Sequence, residues 1–233
     1  MENNLNLKSY QFNSKTDFIY YLSEMIIDLI QRKEKIESYL KEIDCILNSN
    51  SKFIDSNLYE SISDSLARPL EYIFNLLGDE SKKAVSYRKF RKILFKRKDI
   101  LGIKLDKLNQ DEESTLGQFN QLRNWSLHIP ESIYIEKKSF FEMNADFINE
   151  NKNKIIIPKY ENFEIKFLEN FKKEIDEVLS EIEKILSRMK DDYRILIGED
   201  FEIEYEKNYY KPFVIMDIVL NSWDVQNGKK KIN

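Results

Sequence analysis

Apolar residues recur every three to four positions along the first part of the chain, at Phe18, Leu22, Met25, Leu29, Ile36, Leu40, Ile43 and Leu47. That period is one face of an α-helix. Ser14, followed three residues on by Asp17, predicts its start: a hydroxyl caps the helix and an acid bonds back. Asn48, Ser49, Asn50 and Ser51 predict its end. A second helix is expected from Asp55 or Ser56 to Leu77, with Gly78 as its stop. Pro69 lies inside it, and because proline removes a backbone donor, a kink or a division is expected near Ala67 and Arg68.

The pattern continues with a third helix over about residues 80–97 and a loop over 102–109. Asn109 or Asp111 is expected to cap a fourth helix, with Asp111, Glu112 and Glu113 suiting its positive first turn and Leu116, Phe119 and Leu122 as its buried stripe. Pro130 fits the first position of a fifth helix reaching about residue 149, which would bury Ile133, Phe140, Phe141, Phe147 and Ile148. Residues 155–157 should be extended before Pro158. A long sixth helix follows from about residue 161 past Met189, with Ile165, Leu168, Phe171, Ile175, Leu179, Ile182, Ile185 and Leu186 on its apolar face. Residues 201–205 alternate like a short strand and equally suit an exposed loop that packs Phe201 and Ile203. Residues 213–223 read as a closing helix, and 1–13 and 228–233 as loosely held ends. The expected fold class is all-α: one domain, a bundle of about six to seven helices, with 155–233 as a C-terminal helical extension.

Composition sharpens this picture. Only 5 glycines and 4 prolines in 233 residues argue against a turn-rich all-β fold. A formal net charge of -4 lacks the bulk basic footprint of a nucleic-acid binder, so any such surface must be local. The one cysteine, Cys45, excludes an intrachain disulfide, fits a reducing cytoplasm and reads as a buried structural thiol. No apolar run approaches the length of a membrane span, and the N-terminus has no secretion-signal pattern. One histidine and one cysteine argue against a structural zinc site, and no cofactor is expected.

Two groups of residues carry candidate chemistry. The third helix has a basic polar face that includes Lys82, Lys83, Arg88, Lys89, Arg91, Lys92 and Lys96. It reads either as a solvated face or as a phosphate-contacting strip, with Arg88, Arg91 and Lys92 as candidate substrate-binding residues. The second group is the stretch from Arg123 to Pro130, which holds the only histidine, His128, and one of 2 tryptophans, Trp125. Arg123 offers a fixed cation with a fork of donors suited to phosphate oxygens, and His128 titrates near neutrality. On an unbroken helix their spacing of five would set the side chains about 140° apart. A break before Pro130 would bring His128 back towards Arg123, and Asn124 could hydrogen-bond a phosphate or orient the imidazole. The alternatives stay open: His128 as a structural helix-end cap, Arg123 as a buried ion pair to a helix glutamate, and Trp125 as packing.

The run Arg123-Asn124-Trp125-Ser126-Leu127-His128, at a helix junction in an all-α chain, resembles the HEPN superfamily (higher eukaryotes and prokaryotes nucleotide-binding). The resemblance covers about ten residues by motif and roughly 15–190 by helix order. It implies a metal-independent endoribonuclease, in a phage-defence or toxin–antitoxin setting, with Arg123, Asn124 and His128 as catalytic residues. It also implies a homodimer, because family sites pair two such motifs and this chain holds one. RNA is then the substrate, and an antitoxin or regulatory protein a possible partner. Pro130 stands where toxins paired with a nucleotidyltransferase antitoxin carry the modified tyrosine; Tyr134 lies four residues on. Members without nuclease activity imply the alternative, a helical module that binds a protein partner or a nucleotide.

Overall fold

A computed structural model describes residues 12–81, 84–127 and 159–205, together with 134–135, 138–139 and 157. The described chain is mostly helical. In order it runs α1 (Lys15–Leu47), β1 (Phe53–Asp55), α2 (Ser56–Gly78), α3 (Tyr87–Arg97), α4 (Gln110–Leu127), β2 (Asn162–Glu164) and α5 (Ile165–Ile197). It divides into two compact units. One is Phe12–Gly198, which holds every element just named; of the other, residues 199–205 are described and have no regular secondary structure. Ile203 is exposed there, so the loop alternative for 201–205 is the one adopted, without Ile203 buried.

The start of α1 follows its sequence. Ser14 accepts from Asp17 N at 3.2 Å and the Asp17 carboxylate accepts from Ser14 N at 2.8 Å, a reciprocal capping box. Donation from the backbone N–H of Ser14 and then of Asn13 holds the Asp17 carboxyl below the usual range. The expected loose lead ends earlier than residue 13, because Phe12 is buried, stacks on Phe18 at 4.4 Å and meets the edge of Phe90. Seven of the eight apolar positions expected on α1 are buried, with Leu47 packed at the edge of the core. Cys45 is exposed, not buried: two residues past Ile43, it falls on the opposite side of the helix.

Two antiparallel strands, missing from the expected all-α plan, join the starts of α2 and α5. Ile54 pairs with Phe163 at the centre of this ribbon. Each strand leads directly into a helix, and each helix start is tied to the other strand's approach. Ser56 N donates to Glu161 O at 2.9 Å, and Ile165 N donates to Lys52 O at 3.0 Å. First-turn N–H groups have no partner within a helix, and here the neighbouring chain accepts from them. The long last helix therefore starts at Ile165 and not near residue 161.

α2 runs unbroken through Pro69, so the expected division is absent. Its last residue is Gly78, and Asp79 is the cap. α3 starts at Tyr87, seven residues later than expected, because Ser86 is extended and its hydroxyl accepts from Lys89 N. The same hydroxyl donates to Asp79 O at 2.6 Å. α4 opens with a box formed by Asn109 and Glu112, whose side chains accept from each other's backbone N–H at 2.8 and 2.7 Å. Among its residues of described burial, Glu112, Thr115, Leu116 and Phe119 are buried; Leu122 is exposed, contrary to the expected stripe. α1 packs along α2 and α5, and α2 packs along α4, with the core between them. Among the described residues no helix is long and apolar enough to cross a membrane. Of the expected fifth helix, 134–135 and 138–139 are described and helical. The rest of it, residues 155–156 of the extended segment before Pro158, the closing helix over 213–223 and the tail 228–233 lie outside the described residues; Ile157 is described and exposed.

Candidate functional site

The crossing of α2 and α4 sets the position of Arg123. Gly78 makes that crossing possible: a Cβ there would lie 2.6 Å from Asn120 N and 2.9 Å from Phe119 C, both backbone atoms of α4. Glycine at 78 therefore serves a close helix approach more than the expected helix stop. Phe74 of α2 stacks on Phe119 of α4 at 5.6 Å beside it. One turn beyond Phe119, Arg123 reaches back over the end of α2.

Its guanidinium is held by Asn75, Asn124 and Asp79. Nε donates to Asn75 Oδ1 at 3.1 Å, Nη1 donates to Asn124 Oδ1 at 3.0 Å, and Nη2 lies 3.3 Å from Asp79 Oδ2. Asn75 Nδ2 donates to Glu71 O at 2.8 Å, which turns its amide oxygen towards Arg123. Asp79 Oδ1 accepts from Ser81 N at 2.8 Å, which leaves the other oxygen for Arg123. The cation also sits at the C-terminal end of α2, where the helix dipole favours positive charge. The Arg123 side chain keeps 21% of its surface exposed, against 9% for Asp79. Asn124 is exposed next to it. The ion-pair alternative for Arg123 is thus met by Asp79, the cap of α2. His128, Pro130 and the side chain of Trp125 lie outside the described residues. Tyr134 is exposed.

α3 presents something other than a uniform basic strip. Arg88 lies 3.5 Å from Glu80 and 3.6 Å from Glu113, and Lys92 lies 2.6 Å from Glu80. The Lys92 hydrogen bond, helped by the nearby charges, holds the Glu80 carboxyl below its usual range against the effect of burial. Lys89 closes the preceding loop by donating to Ser81 O and Ala84 O. Lys82 and Lys83 lie outside the described residues. A groove of about 440 Å³ does run past Arg88, Lys92, Phe95, Lys96 and Lys107.

Arg91 corrects the expectation of an exposed substrate-binding residue. It is buried, and its Nε lies 2.5 Å from Asp192 Oδ2. Its Nη2 donates to Asp106 O at 2.7 Å. Tyr87 donates to Asp192 Oδ2 at 2.8 Å, and Arg188 Nε lies 3.4 Å from Asp192 Oδ1. Burial pushes the Asp192 carboxyl up, while the two guanidiniums and the Tyr87 hydroxyl pull it back. Burial first, then the Asp192 charge, pushes the Tyr87 phenol well above its ordinary value. This cluster ties α3, α5 and the loop before α4 together inside the core. Its signal was in the spacing: Tyr87, Arg91 and Leu94 share one helical stripe, as do Met189, Asp192 and Leu196.

Among the described residues, no group of three or more His, Cys, Asp or Glu side chains is placed to hold a metal ion. Compared with family models, curated proteins and solved structures, the chain matches none.

Proposed function

We propose that the chain is a HEPN-type endoribonuclease acting through Arg123, Asn124 and His128. The observation that carries this reading is the support under Arg123: Asn75 of α2, the α2 cap Asp79 and the neighbouring Asn124 fix a partly exposed guanidinium at the end of α4. A fixed cation is what a phosphoryl-transfer site requires, because its charge needs no rearrangement as the transition state forms. In the proposed reaction an RNA 2′-hydroxyl attacks the adjacent phosphorus and the bond to the 5′-oxygen of the next nucleotide breaks. The products are a 2′,3′-cyclic phosphate and a free 5′-hydroxyl. His128 takes the proton from the 2′-hydroxyl or gives one to the leaving oxygen. Arg123 stabilises charge on the phosphorane oxygens, and Asn124 orients one of these groups. A homodimer supplies the second Arg–His pair, and the acidity of the whole chain is offset locally where two such motifs meet. A defence or toxin–antitoxin setting, with a regulatory protein that restrains the enzyme, completes the reading.

The test compares purified wild type with His128→Ala on mixed RNAs, with product ends identified by mass. Cyclic-phosphate ends from wild type alone support it. Intact RNA with wild type, as a verified dimer free of inhibitors, overturns it.

A second reading rests on the same contacts. Each nitrogen of the Arg123 guanidinium already has a partner in Asn75, Asn124 or Asp79. A phosphate would compete with these partners for the cation. On this reading Arg123 is a helix-crossing clamp, and the chain is a helical module that binds a protein or nucleotide. Arg123→Lys separates the two: a nuclease loses turnover while folding is nearly unchanged, whereas a clamp loses stability with no activity to lose.

A further inference from the structure

A cleft of about 850 Å³ lies between α1 and α2, on a different part of α2 from Arg123. Arg32 and Lys35 line it from α1 and Arg68 from α2. Most of the other arginines described in this fold face a carboxylate: Arg88, Arg91, Arg123, Arg188 and Arg194 each have an acid within 4.0 Å. The two α1 cations of the cleft rest on tyrosine rings. The Arg32 guanidinium carbon sits 4.6 Å from the centre of the Tyr72 ring, and Lys35 Nζ sits 5.7 Å from that of Tyr39. Tyr72 is itself fixed, since its hydroxyl donates to Asp28 at 2.6 Å. A ring face orients a cation without neutralising it. Arg32 Nε is moreover buried and, like the Nε of Arg88, Arg91 and Arg188, has no hydrogen-bond partner among the described residues; unlike those three, Arg32 has no carboxylate partner within 4.0 Å among them.

The α2 wall adds groups that suit a phosphate. Ser61, Ser65, Arg68 and Tyr72 follow at helical spacing along one stripe, so two hydroxyls lie in line with the arginine. Glu60 and Asp64 line the same cleft. Those carboxylates repel a long polyanion but accept hydrogen bonds from hydroxyl groups. The volume also falls in the range of a small-molecule site.

We propose that the α1–α2 cleft binds a small hydroxylated phosphate ester, its phosphate held by Arg32, Lys35 and Arg68 and its hydroxyls turned towards Glu60 and Asp64. Both a sugar phosphate and a mononucleotide carry this chemistry. The proposal does not rest on the ribonuclease reading, since none of the contacts that hold Arg123 lines the cleft.

The test is calorimetric titration of the full chain at low salt with ribose 5-phosphate, adenosine 5′-monophosphate and uncharged ribose. At least one ester should bind and ribose should not. Arg68→Gln, at an exposed position, should weaken the bound ester about tenfold or more, the loss expected for a charge-assisted contact. Arg32→Gln should do the same, with circular dichroism confirming its fold. Similar binding of both esters assigns a sugar phosphate, and much tighter binding of the nucleotide assigns a mononucleotide. Absence of binding by either ester at millimolar concentration overturns the proposal. So does ester binding that Arg68→Gln leaves unchanged, whatever Arg32→Gln does to folding. A short RNA that binds through Arg68 where both esters fail would also overturn it and make the cleft an RNA surface.

Discussion

Arg91 and Arg123 look alike in the sequence and live in opposite conditions. Each meets an aspartate far along the chain or across a helix crossing. The Arg91–Asp192 pair is sealed, with side chains 3% and 0% exposed. The Arg123–Asp79 pair is at the surface edge, with 21% and 9% exposed. In the first pair both charges have left water and depend on each other, on Arg188 and on Tyr87. In the second, water and two neutral amides share the guanidinium with the carboxylate. The difference separates a charge that builds the fold from a charge that can meet a ligand, and no count of ion pairs would reveal it.

The strongest way to break this comparison is the same substitution at both aspartates. Asp192→Asn keeps the shape but leaves the buried Arg91 guanidinium without its anion, while Arg188 keeps Glu112 at 3.9 Å. A loss of about 3–5 kcal/mol is expected in denaturant unfolding, the range for breaking a buried pair. A loss below about 1 kcal/mol would show that water reaches this cluster and that Arg91 is a surface group after all.

Next in size is Gly78→Ala, which acts on the scaffold beneath Arg123 without touching its charge. The added methyl would meet the α4 backbone at Asn120. Neither helix backbone can yield cheaply, so about 1–3 kcal/mol of destabilisation is expected, the usual cost of overpacking. Nuclease activity, if present, should fall with it, because Arg123 moves with α4. Unchanged melting would mean that the crossing is looser than it looks.

The helix pattern of this chain was legible because it is local. The Ser14–Asp17 box lies within four residues, and the stripe of α1 repeats often enough to be read directly. What escaped was whatever joins distant segments. The strands Phe53–Asp55 and Asn162–Glu164 are too short for alternation to register, and each finds its partner over a hundred residues away. Arg91 was read with its exposed neighbours although it shares a stripe with Tyr87 and Leu94. A charged residue on a core stripe calls for a partner elsewhere, and Asp192, equally misplaced between Met189 and Leu196, was that partner. At the candidate site, the sequence marked Arg123 and Asn124 as neighbours. It could not show that Asn75 and Asp79 would hold the guanidinium, since nothing in α2 alone points towards α4.

A smaller effect sharpens the contrast through pH. Tyr87 has a folded pKa well above its ordinary 10.0, with burial the main cause. For a group whose pKa is raised on folding, the contribution to stability is full below the unfolded value and is lost as pH rises beyond it. Unfolded Tyr87 ionises above about pH 10 while the folded residue stays neutral, so alkali favours unfolding. Tyr72, pushed up to about 12, adds to the same trend. Tyr87→Phe should lose about 1 kcal/mol at neutral pH with its hydrogen bond to Asp192. It should then show a shallower fall in stability between about pH 9 and 11 than wild type. Parallel falls in the two proteins would place the alkaline sensitivity elsewhere.

The smallest effect belongs to Asp79→Asn, the mate of the first substitution. The asparagine retains an oxygen for Ser81 N, and Arg123 keeps Asn75, Asn124 and water. A loss of about 1 kcal/mol or less is expected, close to that of exposed pairs. The two readings of Arg123 part here. If the guanidinium serves a phosphate, removing its competing carboxylate leaves the cation available, and RNA cleavage or RNA binding should hold or rise as stability dips. If Arg123 is only a clamp, no RNA-dependent property changes. A loss near that of Asp192→Asn would erase the distinction between the two arginines and leave Arg123 as another part of the framework.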